Sequence, residues 1–170
     1  MKIGICGKMC SGKSTLANQI IDHYSHSNIT VIKDSFASKI YELAYDIFKM
    51  ETKDRQLLQQ IGTKFREIDD KVWINYIINK HIDNVIIDDV RYQNEIKALR
   101  ENGYFLIKLK ISRELQISRL RDLYKDTFSQ HYKNIDHVSE LFIDVAPDDI
   151  FDIVVDVDSE DAFDKIKGLL

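Results

Sequence analysis

The chain has 170 residues, 44% of them hydrophobic and 31% charged, with one proline and six glycines. It is long enough to pack one core, and its composition excludes collagen-like, low-complexity and largely disordered classes. A net charge of −4 excludes a general nucleic-acid coat held by phosphate neutralisation, and no apolar run nears the ~20 residues of a membrane span. A cytoplasmic protein with neither nucleic-acid nor membrane partners is expected, because Met1-Lys2 leads straight into a strand-like segment.

Strand and helix alternate along the chain, the pattern of a parallel sheet covered by helices on both faces. Residues 2–6 predict a first strand, 7–12 a loop, and 13–24 a helix with Leu16, Ile20 and Ile21 on one side. The β-branched run 28–33 predicts a second strand. Three helices follow at 36–48, 55–67 and 72–81, an insertion larger than a simple crossover needs and a natural place for a substrate subdomain. The apolar run 84–88, ending in acid, reads as strand three, and 93–101 as a helix closed by Asn102-Gly103. Residues 104–111 predict strand four, 113–124 a helix, and the polar stretch 125–137 a mobile segment. Then come a short helix or turn at 138–143, a fifth strand at 151–157, and a last helix opened by Asp158-Ser159-Glu160-Asp161. No linker or repeat intervenes, so a single domain over 1–170 is expected.

Charge is unevenly placed. Nine acids crowd residues 144–170, and 91–125 carries nine basic side chains against four acidic, which suggests a small anionic ligand. Cys6 and Cys10 are too few for a disulfide framework, and their spacing matches no zinc site.

Gly7-Lys8-Met9-Cys10-Ser11-Gly12-Lys13-Ser14 fits G-x-x-x-x-G-K-[ST] without mismatch. Gly7 and Gly12 are expected to allow positive φ and close backbone approach, so that loop N–H groups and the following helix N-terminus face a polyphosphate. Lys13 is placed to reach the β- and γ-phosphates and Ser14 to ligate Mg²⁺; Cys10, Ser11 and Thr15 complete the nucleotide contacts. The chain lacks a guanine-reading Asn-Lys-x-Asp and an Asp-x-x-Gly, which argues against a GTPase switch. A small kinase using ATP and Mg²⁺ fits best.

Asp88, Asp89 and Arg91 fall at the carboxyl edge of strand three, where doubly wound sheets bind ligands, and Asp34 directly follows strand two. Side chains alternate along a strand, so one of Asp88 and Asp89 is expected to face the site and to hold Mg²⁺ directly or through water; which one is open at this level. Transfer between two polyanions calls for arginines and a closing lid rather than a strong base. Arg113, Arg119 and Arg121 flank the segment where a lid would hinge.

Beyond the phosphate loop, several segments occur in a telling order: Ser35-Phe36-Ala37-Ser38-Lys39-Ile40, then Leu57-Leu58-Gln59-Gln60-Ile61-Gly62-Thr63 with Arg66 and Trp73, then Asp89-Val90-Arg91-Tyr92-Gln93-Asn94-Glu95, and finally His137-Val138-Ser139-Glu140. In these the chain resembles, over nearly its whole length, the phage-type deoxynucleoside monophosphate kinases of the P-loop nucleoside monophosphate kinase superfamily. The resemblance implies a three-layer α/β/α fold with a five-stranded parallel sheet in order 2-3-1-4-5, a monophosphate-binding insertion at about 35–82 and a lid at about 122–138. It implies transfer from MgATP to a dNMP, giving dNDP and ADP. Asp34, Phe36, Lys39, Arg66, Trp73, Asp89, Arg91 and Glu95 would then line the acceptor side, with Lys13, Asp89, Arg91 and Arg121 in the catalytic set. Arg119 would lie near the adenine, and His137, Ser139 and Glu140 would order around substrate when the lid closes. Many relatives carry Phe-Ala-x-Pro-Leu-Lys where this chain has Lys39 and Tyr41, which leaves a lysine contact to the acceptor phosphate open.

Two other readings compete. A kinase of a neutral hydroxyl, such as a deoxynucleoside or other small metabolite, would use Asp34 or Asp89 as general base. A noncatalytic nucleotide-binding accessory protein would need no turnover at all. Base preference, ribose selectivity and a homodimer are left open by the sequence.

Overall fold

The computed structural model of the chain describes residues 1–80, 83–136 and 138–169, with backbone alone for Val138 and Ser139. Among them a parallel five-stranded sheet runs in the order β2-β3-β1-β4-β5, from β1 (Lys2–Gly7), β2 (Ile32–Asp34), β3 (Val85–Val90), β4 (Phe105–Lys110) and β5 (Ile153–Asp156). This is the expected fold class and strand order. Helices cover both faces, and the central strands carry apolar side chains toward each of them. One face packs Ile3, Ile5, Ile86, Ile107 and Leu109 against α1 (Lys13–Ser25) and α9 (Ala162–Ile166). The other packs Val85, Ile87, Leu106 and Leu99 with residues of α4 (Val72–Lys80), α5 (Gln93–Glu101) and α8 (Val138–Val145).

Between β2 and β3 lie α2 (Ser38–Asp46), α3 (Arg55–Ile68) and α4, which enclose a small core of their own: Ile40, Ala44, Met50, Ile61 and Trp73. The predicted last residue of the third helix, His81, falls outside the described residues. Asp54 caps α3 by accepting from Leu57 N at 3.0 Å. α2 ends at Asp46, two positions short of the predicted helix end at 48; Lys49, at φ 54°, turns the chain away, and Met50 N–H returns to Ala44 O at 3.0 Å.

The second strand is shorter than its β-branched run predicts. Asn28 takes the left-handed conformation (φ 57°), and Ile29 N–H bonds back to Tyr24 O at 3.2 Å. That closure ends α1, so pairing starts only at Ile32, opposite Val85. After α6 (Arg113–Tyr124) the polar segment carries regular structure over 125–132, a 3-10 turn over Lys125–Thr127 and α7 (Phe128–Tyr132). Aromatic contacts concealed by the polar composition account for this: Phe128 packs on Tyr132 four residues on (ring centroids 5.4 Å apart), and Tyr124 stacks on His131 at 3.6 Å.

The register between β1 and β3 slips at the site edge. Gly4 pairs with Ile87 but Cys6 with Val90, so Asp88 and Asp89 together stand opposite Ile5. Two residues against one is a bulge, and it re-aims both carboxylates.

Candidate functional site

The turn from β1 into α1 forms an anion-binding concavity. Gly12, at φ 94°, is the residue before α1, so the helix N-terminus and the loop N–H groups open in one direction. Gly7 serves differently from the expectation of positive φ. Its demand is for space, since a Cβ there would lie 2.5 Å from Ser11 Oγ and 3.1 Å from Leu109. The second left-handed residue of the loop is Cys10, at φ 65°. Burial pushes the Cys10 thiol up, away from a reactive thiolate.

Lys13 Nζ donates to Gly7 O at 2.6 Å and to Lys8 O at 2.8 Å, which suspends the ammonium over the loop. Burial, then the Arg91 guanidinium, bring its pKa down to about 8. Ser14 Oγ donates to Asp88 Oδ2 at 2.7 Å. The bulge therefore turns Asp88 toward α1 and the phosphate loop. Hard oxygens from one hydroxyl and one carboxylate suit Mg²⁺, which takes one or two protein ligands beside phosphates and water.

Asp89 points to the opposite face. Its two oxygens accept from Phe36 N at 2.8 Å and Ala37 N at 3.1 Å, ahead of α2. Burial pushes its pKa up to about 6. Glu95 is buried as well; its Oε2 accepts from Arg91 N (2.8 Å) and Tyr92 N (3.0 Å) at the start of α5. Burial first, then the Asp89 charge, raise it to about 7. The Arg66 guanidinium lies 5.6 Å from the centroid of the Tyr92 ring, and Arg91 Nη1 donates to Glu140 Oε1 at 2.5 Å. Arg66, Arg91 and Glu95 thus meet around one helix start.

Other expected acceptor contacts are engaged elsewhere. Trp73 donates from Nε1 to Gly62 O at 3.1 Å and packs on the Phe65 ring within the core of the insertion. Phe36 is buried with Ile87 and Val90. Lys39 pairs with Glu42 at 2.6 Å on the exposed side of α2. Asp34, the last residue of β2 rather than the one after it, accepts from Lys80 Nζ at 2.7 Å. His137 and the Ser139 side chain lie outside the described residues.

On the other side of the loop an open cleft of about 940 Å³ runs past Gly12, Ser14, Thr15 and Arg119 to Tyr124 and Ser159. Arg119 Nη1 donates to Cys10 O at 3.2 Å. Arg121 does not line this cleft; its guanidinium sits over the Phe128 ring at 5.3 Å. The far wall, residues 157–162, has a sequence signal only for a helix cap. It reaches the site because β5 lies beside β4 with its carboxyl end at the same sheet edge. Gln116, wholly buried and donating to Met9 O at 3.0 Å, is a further loop contact without a sequence signal.

A family model described as an AAA domain (AAA_18) matches residues 3–133, from β1 through α7. The chain belongs to this AAA_18 family. It is accordingly a P-loop nucleotide-binding protein, in a family made up mostly of kinases. The AAA_18 match ends before α8, β5 and α9. A solved structure, an uncharacterized protein from Eubacterium ventriosum, is similar with a TM-score of 0.58 over 99% of this chain and 97% of its own, at 16% identity. At that identity the likeness concerns the fold alone. No curated protein matches. Among the described residues no helix is long and apolar enough to cross a membrane.

Proposed function

We propose that the protein is a deoxynucleoside monophosphate kinase that transfers the γ-phosphate of MgATP to a dNMP. One observation carries this over a hydroxyl kinase. Both acids available as a general base for a neutral acceptor are already committed, Asp89 to two backbone N–H groups and Asp34 to Lys80. The arginines beside them are Arg66, over the Tyr92 ring, and Arg91, held by Glu140 next to the loop. A phosphate acceptor is ionised at neutral pH and needs charge compensation rather than deprotonation, which is what such a set supplies.

In this reading the loop N–H groups and Lys13 hold the donor β- and γ-phosphates. Arg119 borders the base side of the cleft and Arg66 the acceptor phosphate. Arg91, between the two, balances charge on the group in transfer. Mg²⁺ would be held by Ser14 and Asp88, directly or through water, and when bound it neutralises donor phosphate charge. Asp89 supports the site by fixing the chain ahead of α2.

The test is a product-resolved assay of MgATP with each dNMP, each NMP and each free deoxynucleoside. Formation of dNDP and ADP with inert nucleosides is expected. Phosphorylation of a nucleoside would overturn the acceptor assignment, and binding of ATP without any transfer would favour an accessory role.

A further inference from the structure

The tip of the phosphate loop is gripped from outside by side chains that the transfer chemistry leaves unused. Glu140, 2% exposed in the first turn of α8, accepts from Met9 N at 2.6 Å with Oε2 and from Arg91 Nη1 at 2.5 Å with Oε1. Four residues on, Asp144 pairs with Lys8, so one side of α8 holds two successive loop residues. Gln116 of α6 holds the Met9 carbonyl. The other end of α8 is anchored by Lys108, a lysine 2% exposed in the middle of β4. Its ammonium donates to Ala146 O at 2.6 Å and to Asp148 Oδ1 at 3.0 Å, where the helix carbonyls run out.

Only an ionised carboxylate can serve both of the donors that meet at Glu140. Each oxygen accepts one short bond, whereas an amide of the same length offers one acceptor and would turn its own N–H₂ toward the second donor. Buried acids left without such partners are costly, so Glu140 and Arg91 act as a coupled pair. The carboxylate is turned to the loop and to Arg91.

We propose that Glu140 is a positioning residue that ties the Arg91 guanidinium to the Met9 peptide, fixing the distance between the arginine and the phosphate loop, with Lys108 and Gln116 holding the two ends of the tie. This differs from the substrate contact implied by family resemblance, and it rests on the reading that Arg91 meets the phosphate in transfer. It places the tie in α8, beyond the part of the chain that the family model matches.

The test is a double-mutant cycle with Arg91→Ala and Glu140→Gln, read as MgATP affinity by calorimetry and as kcat and KM with a dNMP. Arg91→Ala is expected to weaken MgATP about tenfold in the wild-type background and less than about threefold once Glu140 is replaced, because an untethered arginine contributes little. Glu140→Gln should lower kcat by about tenfold or more, with the acceptor KM within about threefold, and should add nothing to the kcat loss of Arg91→Ala. Equal factors in both backgrounds, or no effect of Arg91→Ala on either readout, overturn the tie. Should Glu140→Gln fail to fold, Glu140→Asp keeps the charge but is too short to span both donors, and the same loss of dependence on Arg91 is expected. If the wild type phosphorylates no monophosphate, the proposed function falls, while the affinity arm of the cycle still decides the tie.

Discussion

The phosphate loop and the α2–α4 insertion share a sheet edge but differ in what their polar and aromatic side chains are for. In the loop, eight consecutive residues set the backbone, and distant side chains such as Arg119 and Gln116 close around it without filling the concavity. In the insertion, Trp73, Phe36 and Lys39 are taken up by packing or pairing within the protein. A motif whose function is carried by main-chain N–H groups can be read residue by residue. A motif carried by aromatic and charged side chains cannot, because the same residues also have to build the subdomain's core.

This contrast can be broken by mutation, and the loop should give the largest response. Lys13→Ala is expected to cut transfer on the order of 10³-fold while the melting transition remains cooperative, because the lost ammonium is held by the loop carbonyls of Gly7 and Lys8 rather than packed in the core, and on the proposed reading it meets the donor phosphates. Near-normal turnover would show that the loop does not serve the donor. The wild-type affinity for MgATP should also fall as pH rises above about 8, where free Lys13 loses its proton; calorimetry across pH 7–9.5 measures it. Arg91→Ala comes next, with a loss on the order of 10²-fold in kcat/KM, and a change under about threefold would assign it to structure.

On the acceptor side the expected effects turn from rate to stability. Glu95 has its pKa raised from 4.5 to about 7, so between those values the folded state binds more protons than the unfolded one. The Glu95 contribution to stability, on the order of 3 kcal/mol at most, should therefore be fully present below about pH 4.5 and be lost as pH rises through about 7. Glu95→Gln should flatten that slope in denaturant titrations at successive pH values; an unchanged slope would place its cause elsewhere. Trp73→Phe should cost about 1 kcal/mol through the lost bond to Gly62 O and leave the acceptor KM unchanged. A raised KM at full stability would instead put Trp73 in the acceptor site. Lys39→Ala should change KM by less than about twofold, since its exposed ammonium faces Glu42.

The alternation of apolar runs and helical periods made the parallel sheet and the insertion legible, because buried parallel strands and amphipathic helices leave periodic traces in composition, whereas the strand order was implied by the family resemblance. The loop was legible for the same local reason. Its one misreading concerned Gly7, where the constraint is Ser11 and the neighbouring strand rather than the residue's own φ. The start of β2 was misplaced because Asn28 closes α1 in a left-handed turn that β propensity does not reveal. Trp73 and Phe36 were ambiguous by nature, since burial and ligand contact call for the same residue types.

What 170 residues settled alone was the class of protein: a P-loop on a parallel sheet, with arginines in place for an anionic ligand. What only the fold decided was which neighbour does what. Asp88 and Asp89 are adjacent in the chain, and strand alternation says only that they part. A bulge opposite Ile5 sends the first to Ser14 and the second to Phe36. Glu140 lies 131 positions from Met9, and the two meet because α8 packs over the carboxyl edge of the sheet. Local periodicity encodes elements, whereas such pairings arise when elements with no sequence relation are brought to one edge.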